Sequence, residues 1–231
     1  MEWLSRTEMM LGEEAIKRLS EAKIIIFGVG GVGGYAFEAL VRSGVKKITV
    51  VDSDTVSLSN INRQIIATTK TVGRLKVELA RERALDINPE AEITALPIFY
   101  SEENEGEIDL AEYDYIIDAI DSVKSKIRLI ENAYTLGVRI ISSMGAGNKL
   151  DPTAFKVADI NKTSVCPLAK VVRTELRRRG IKKLKCVYSE EPPFKTLGEE
   201  GKKRIPASIA TTPSAAGLVI ASEVIKDIIT K

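Results

Sequence analysis

The 231 residues carry 34 basic and 32 acidic side chains, a net charge of +2, so the chain is long enough for one large α/β domain but is no polycation; any grip on nucleic acid has to come from a local patch. It holds no histidine, which removes the commonest acid–base side chain and the commonest metal ligand. Its two cysteines, Cys166 and Cys186, are too few for a disulfide framework, form no CxxC pair for a zinc knot, and suit a reducing cytoplasm.

In chain order, residues 6–20 read as an amphipathic helix, with Trp3 ahead of it as an anchor or a dimer contact. The opening stretch has no signal-peptide layout, and no apolar run approaches the length of a membrane span, so no membrane location is expected. Residues 23–27 form an apolar, buried strand. The glycine-rich turn Phe27-Gly28-Val29-Gly30-Gly31-Val32-Gly33-Gly34 leads from it into a helix over 32–43, ended by Gly44. A strand over 47–51 carries the acidic tip Asp52-Ser53-Asp54. A charged helix over 73–87 stops at Asn88-Pro89. Strands over 93–99 and 113–119, a helix over 122–136 and a strand over 139–143 follow. This alternation predicts an α/β fold, a Rossmann-like, doubly wound and mostly parallel sheet whose ligand loops lie beyond the strand C-termini.

After Gly147 the rhythm changes. An antiparallel strand is expected over 155–160, and a basic helix over 167–179 with Pro167 in its first turn. A short strand over 184–189 precedes a stretch over 190–206 rich in Pro, Gly, Lys and Glu, expected to be a mobile loop. A helix over 213–229 with a small-residue face (Ala215, Ala216, Gly217, Ala221) closes the chain. Residues 1–231 read as a single domain, with a nucleotide-binding core over 1–147 and a substrate-side extension over 148–231.

The glycine turn offers bare N–H groups to phosphate, and Asp52 offers a carboxylate to ribose hydroxyls. These two features alone also fit a dinucleotide-binding dehydrogenase. Three more point to a nucleoside triphosphate. Ser57-Leu58-Ser59-Asn60-Ile61-Asn62-Arg63-Gln64 sets an arginine close behind the ribose acid, where hydride transfer has no use for one. Gly73-Arg74-Leu75-Lys76 aims a lysine and helix N–H groups at the same place. Asp118-Ala119-Ile120-Asp121-Ser122, at a strand end, supplies a carboxylate for the Mg²⁺ that bridges phosphates.

Together, Gly28-x-Gly30-Gly31-x-Gly33, Asp52-x-Asp54, Asn60-x-x-Arg63-Gln64, Lys76 and Asp118-x-x-Asp121 resemble the ubiquitin-activating-enzyme-like adenylating enzymes, which include the activators of molybdopterin and thiamin sulfur carriers. The resemblance covers nearly the whole chain. It implies ATP and Mg²⁺ as ligands, Asp52 on the ribose, and Asn60, Arg63 and Lys76 on the triphosphate and the transition state. Asp54, Gln64 and Ser122 complete the nucleotide site, and Asp121 is the metal ligand. It also implies a homodimer in which Arg6 reaches into the partner's site, making Arg63, Lys76 and Arg6 the catalytic set.

Within that group, Ser5-Arg6-Thr7-Glu8-Met9-Met10-Leu11-Gly12, the run Tyr115 to Lys126, Gly145-Ala146-Gly147-Asn148-Lys149-Leu150-Asp151-Pro152-Thr153 and Val187-Tyr188-Ser189-Glu190-Glu191 resemble the tRNA threonylcarbamoyladenosine dehydratases. Such enzymes are implied to adenylate the threonyl carboxylate on modified adenosine 37 of tRNA. The neighbouring carbamoyl group then closes a ring and AMP leaves. The chain departs from the pattern at Cys166, where an acidic residue is expected. The alternative from the same chemistry is an adenylyltransferase for the C-terminal glycine of a ubiquitin-like sulfur carrier, with a sulfur-relay partner. A non-catalytic nucleotide-binding subunit and an NAD-dependent oxidoreductase are the readings from other classes.

The tRNA side of the expectation rests on Lys170, Arg173, Arg177, Arg178, Arg179, Lys182 and Lys183, offset only by Glu175. Such a cluster is either a solvated helix face or a rail for RNA phosphates. No aromatic residue interrupts it, so base stacking is not its work. Lys124, Lys126 and Arg128 read equally as a solvated face or as contacts to ATP or tRNA. Ser142-Ser143-Met144-Gly145-Ala146-Gly147 either admits substrate or a monovalent cation (Na⁺ or K⁺), or only permits a tight chain crossing. Cys166 and Cys186 read as small buried fillers rather than nucleophiles.

Overall fold

The computed structural model describes residues 2–194 and 206–230. Two helices open it, α1 (Ser5–Leu11) and α2 (Glu13–Glu21). The sequence pattern predicts one helix here; Gly12, at φ +86°, breaks it, a backbone conformation that glycine adopts without a Cβ clash. The remaining regular elements are β1 (Lys23–Phe27), α3 (Gly33–Arg42), β2 (Lys47–Val51), α4 (Lys76–Ile87), β3 (Glu92–Leu96), β4 (Tyr115–Asp118), α5 (Val123–Leu136), β5 (Arg139–Ser143), β6 (Phe155–Asp159), α6 (Pro167–Arg178), β7 (Lys185–Ser189) and α7 (Thr211–Ile229). Six short 3₁₀ turns join them among the described residues.

One seven-stranded sheet runs in the order β3-β2-β1-β4-β5-β7-β6. All neighbours are parallel except β6, which pairs antiparallel with β7 at the edge. The chain leaves β1 for β2 and β3 on one side, then crosses back to lay β4 on the other. This reversal between β1 and β4 opens a crevice at the strand C-termini, the place where open α/β sheets bind ligands.

The strands are apolar runs because both sheet faces are covered. Alternate residues of β1 face opposite ways. Ile24 and Ile26 enter the core packed by α3, α4 and α7, whereas Ile25 and Phe27 enter the core that holds Leu129 and Ala133 of α5. All four are fully buried, each contributing about 1.5–3 kcal/mol. A third cluster joins α5, α6 and β7 through Ile127, Ile130, Val172, Leu176 and Cys186.

Two strands are shorter than their apolar runs suggest. β3 ends at Leu96 because Pro97 has no N–H for the ladder, and residues 98–100 turn out to line the crevice. β4 ends at Asp118, whose buried carboxylate accepts the Lys126 ammonium. α7 starts at Thr211, two residues earlier than expected, with Pro213 in its first turn. Of the stretch expected to be mobile, residues 195–205 lie outside the described residues. Among the described residues no helix is long and apolar enough to cross a membrane.

Candidate active site

The crevice over β1 and β4 encloses a cleft of about 430 Å³. Its floor is the turn that follows β1. Gly28 sits at φ +90°, and a Cβ there would stand 2.7 Å from the Ala119 carbonyl oxygen. A Cβ on Gly33 would stand 1.8 Å from the Gly28 carbonyl oxygen, so only glycine lets α3 begin this close to β1. Gly30 and Gly31 then line the cleft at the N-terminal end of α3, where helix N–H groups lack intrahelical acceptors. α7 closes the back of this turn: a Cβ on Gly217 would stand 2.3 Å from the Val32 carbonyl oxygen.

Asp52 leaves the end of β2 and binds this turn directly. Its Oδ2 accepts the Val29 N–H at 2.7 Å and its Oδ1 the Asp54 N–H at 2.9 Å. Burial pushes its carboxyl above the ordinary range, against the opposing pull of Lys76 and of those two N–H groups. Lys76, the first residue of α4, is buried, and its Nζ lies 2.7 Å from Asp54 Oδ2 and 3.9 Å from Asp52 Oδ2. The Lys76 N–H donates to the Asp54 carbonyl at 3.0 Å, so the lysine reaches the cleft but this helix N–H does not. Arg74 turns away to Glu82.

Asn60 ends the 3₁₀ turn Leu58–Asn60, and its Oδ1 accepts the Ser57 N–H at 3.1 Å. Asn60 also lines the cleft. Arg63 Nη1 donates to the Ser59 carbonyl at 2.7 Å and to Asn62 Oδ1 at 2.9 Å, which presents the guanidinium along the cleft wall. Gln64 is 6% exposed, lines the cleft, and its Oε1 has no hydrogen-bond partner among the described residues. A buried acceptor left open at a cavity wall fits a ligand hydroxyl or amine.

Asp121 is exposed at the rim and makes no ion pair among the described residues. Ser122 caps α5, accepting the Ser125 N–H at 3.4 Å. Among the described residues no three acidic, Cys or His side chains gather to hold a metal. One rim carboxylate together with substrate phosphates is the donor set magnesium accepts, so these residues fit it.

The structure thus brings Gly28, Gly30, Gly31, Asp52, Asp54, Asn60, Arg63, Gln64, Lys76 and Asp121 around one cavity, with Gly33 and Ser122 behind it. Arg6 stands apart: it is exposed on α1 and does not line the cleft of its own chain. The sequence did not single out Ile98, Phe99 and Tyr100, which form an apolar wall, nor Pro206, Ser208 and Pro213, which line the cleft from the C-terminal region, Pro213 against Gly31 and Pro206 against Gly147. Asn148 fixes that second wall. At φ +57°, its N–H donates to the Ala207 carbonyl, its Oδ1 accepts the Ala207 N–H, both at 2.7 Å, and its carbonyl accepts the Phe194 N–H at 2.8 Å.

Three further groups land elsewhere than the sequence allowed. Lys126 is neither a solvated cation nor a ligand contact: it is fully buried against Asp118. Its ammonium also takes Ser142 Oγ and the Ser143 carbonyl, oxygens of the stretch considered for a monovalent cation. Arg128 pairs with Glu105. On α6, Arg173 is half-buried, and its Nη1 donates to the Ile160 and Thr163 carbonyls and to Thr163 Oγ1. Arg178 and Arg179 pair with Glu175. Lys170, Arg177, Arg178, Arg179, Lys182 and Lys183 are all exposed, with Arg177 leaning on Asn161 Oδ1 at 3.0 Å. Both cysteines are buried, and burial pushes the Cys186 thiol up to about 12.

The ThiF family profile matches residues 4–231. The chain belongs to the ThiF family. It is 44% identical, over 239 residues, to the tRNA threonylcarbamoyladenosine dehydratase of Bacillus subtilis, a match spanning 97% of this chain and 94% of that one. Its fold superposes on the E. coli tRNA N6-threonylcarbamoyladenosine dehydratase in complex with AMP at a TM-score of 0.91, with 34% identity over 97% of this chain and 93% of that one. The same E. coli enzyme in complex with ATP gives 0.90, with 33% identity over 99% and 94%.

Proposed function

We propose that this ThiF-family chain is an ATP-dependent tRNA threonylcarbamoyladenosine dehydratase acting as one adenylating unit in the cytoplasm. What supports the reading is a cleft that joins a phosphate-type glycine turn to two cations and a rim carboxylate, in a chain 44% identical to a Bacillus subtilis enzyme of that name.

The chemistry asked of the protein is electrostatic. Two anions, a carboxylate and ATP, must meet, and their repulsion must be offset where charge develops at the α-phosphorus. The α3 N-terminus and Gly30 and Gly31 would hold phosphate. Asp52 would hold the ribose and, through Val29, shape the turn. Arg63 and Lys76 would take charge from the phosphates as pyrophosphate departs. Asp121 would hold Mg²⁺, which supplies neutralisation of the triphosphate. The substrate carboxylate displaces pyrophosphate; the carbamoyl group then attacks the activated carbonyl, loses a proton, and AMP leaves. No protein nucleophile is needed, which agrees with a fold whose two thiols are buried.

The RNA would lie along exposed Lys170, Arg177, Lys182 and Lys183. A homodimer is part of the proposal: Arg6 stands beside exposed Met9 and Met10 on α1, a face suited to a second copy whose cleft it would enter. The test is mass spectrometry of adenosine 37 after incubating tRNA with the protein, ATP and Mg²⁺. Loss of one water from the threonylcarbamoyl adenosine supports the reading. ATP–pyrophosphate exchange driven instead by a Gly-Gly-ending small protein would replace it with the sulfur-carrier reading.

A further inference from the structure

Lys126 sits on the first turn of α5, directly below the rim loop, and is 0% exposed. Its Nζ donates to Asp118 Oδ2 at 2.7 Å, to Ser142 Oγ at 3.2 Å and to the Ser143 carbonyl at 3.0 Å. Those bonds use all three ammonium donors. Asp118 is equally saturated: Oδ2 also accepts the Ser142 hydroxyl at 2.5 Å, and Oδ1 accepts the Ile120 N–H at 3.1 Å. Asp118 and Ser142 are likewise 0% exposed.

We propose that Lys126 is a positioning residue for Asp121, clamping the Asp118 carboxylate so that the turn over residues 119–122 aims the Asp121 carboxylate into the cleft. The turn is fastened at both ends by this one lysine. At its start Asp118 grips the Ile120 N–H. At its end the Lys126 backbone N–H donates to the Ser122 carbonyl at 2.9 Å. Asp121 lies between these two anchors. The turn cannot slide toward the glycine loop either, because the Ala119 carbonyl already lies against Gly28. Stability does not account for the pair: a well-packed apolar pair of similar volume is often as stable as a buried ion pair. An apolar pair would leave the Ile120 N–H unheld, and it is that bond which orients the turn.

The inference rests on the adenylating reading with Asp121 on the metal, and the test separates the two. The readout is the Mg²⁺ concentration for half-maximal binding of ATP, with affinity for metal-free ATP as the control. Lys126→Met is expected to raise the Mg²⁺ requirement by about 10–100-fold, the range for lost outer-shell support. Metal-free ATP affinity should change by less than about twofold. Asp121→Asn should behave alike, and combining the two should add nothing, since both act on one carboxylate. Lys126→Met strands a buried carboxylate. Two companions therefore carry the same test: Lys126→Met with Asp118→Asn, which buries no charge, and Ser142→Ala, which keeps the ion pair and should show a smaller shift. A folded variant with an unchanged Mg²⁺ requirement, or effects that add to those of Asp121→Asn, overturns the proposal. If Asp121→Asn itself leaves the requirement unchanged, the metal reading of that residue fails and the proposal with it.

Discussion

Lys76 and Asp54 form an ion pair of 2.7 Å across the floor of the cleft, with the lysine side chain 6% exposed and the aspartate 67% exposed. The cation is thus fixed by burial while its partner stands in water. Under the adenylating proposal, a phosphate would take the place of the water-facing Asp54 carboxylate on this ammonium, and Asp54 would serve as a placeholder that keeps the lysine extended.

This arrangement separates two variants. Lys76→Met should lower ATP–pyrophosphate exchange by about 10²–10³-fold, the scale for one lost charge-stabilising donor. Asp54→Asn should cost less than about tenfold. Arg63→Ala should abolish turnover while ATP binding, measured by calorimetry, stays largely in place. Equal losses in Asp54→Asn and Lys76→Met would mean that the carboxylate itself handles the nucleotide.

Asp52 gives a pH signature. Its folded-state carboxyl is raised above the unfolded value near 3.8, with burial as the main cause, so the folded state prefers the protonated form. Its contribution to stability is present below the unfolded pKa and is lost as pH rises through the folded one. Asp52→Asn cannot ionise. Its urea midpoint, relative to that of the unaltered chain, should therefore be more favourable at pH 7 than at pH 4. A gap that stays constant across this window, or reverses, refutes the assignment.

On α6 the cations divide by what they already hold. Neutralising Arg177, Lys182 and Lys183 together should raise the KM for tRNA and reduce its salt dependence by up to about three phosphate contacts. Arg173→Ala should instead destabilise the fold, since it removes three hydrogen bonds to oxygens of the 160–163 turn, at a cost of about 1–3 kcal/mol. Salt titrations of KM and thermal melts tell the two effects apart.

Gly33→Ala would bring a methyl to within 1.8 Å of the Gly28 carbonyl oxygen. The clash is with the Gly28 backbone, with Ala119 Cβ close beside it at 3.2 Å, so relief requires α3 to move off β1. The expected loss exceeds about 3 kcal/mol and takes ATP binding with it. Gly73→Ala, which meets nothing within 4 Å but sits at φ +87°, should cost only about 1–2 kcal/mol of backbone strain. Denaturant midpoints of the two variants rank the effects.

Much of this was legible in the sequence because it depends on local order. The alternation of strands and helices, the glycine turn and the acids at strand tips follow from spacing within a few residues, and the sheet places them at one crevice. What escaped depends on distant partners. Lys126 looks like any lysine on a helix until β4 and β5 bring Asp118 and Ser142 beside it. Arg173 reads as a surface cation until the 160–163 turn folds onto it. Pro213 reaches the cleft because α7 packs against α3 at the Gly217 notch, and Pro206 and Ser208 because Asn148 holds Ala207 and Asn62 holds the Ser208 carbonyl. The break at Gly12 was missed for a different reason, since its apolar spacing carries on unbroken across it.

The three hydrogen bonds joining Asn148 to Phe194 and Ala207 have a bearing on how this chain tolerates change. Phe194 and Ala207 are both moored to one residue, so the rear face of the cavity owes its shape to that mooring. Asn148 is therefore hard to replace: its left-handed backbone favours asparagine, aspartate or glycine, and of these only the first two keep a side-chain oxygen for the Ala207 N–H.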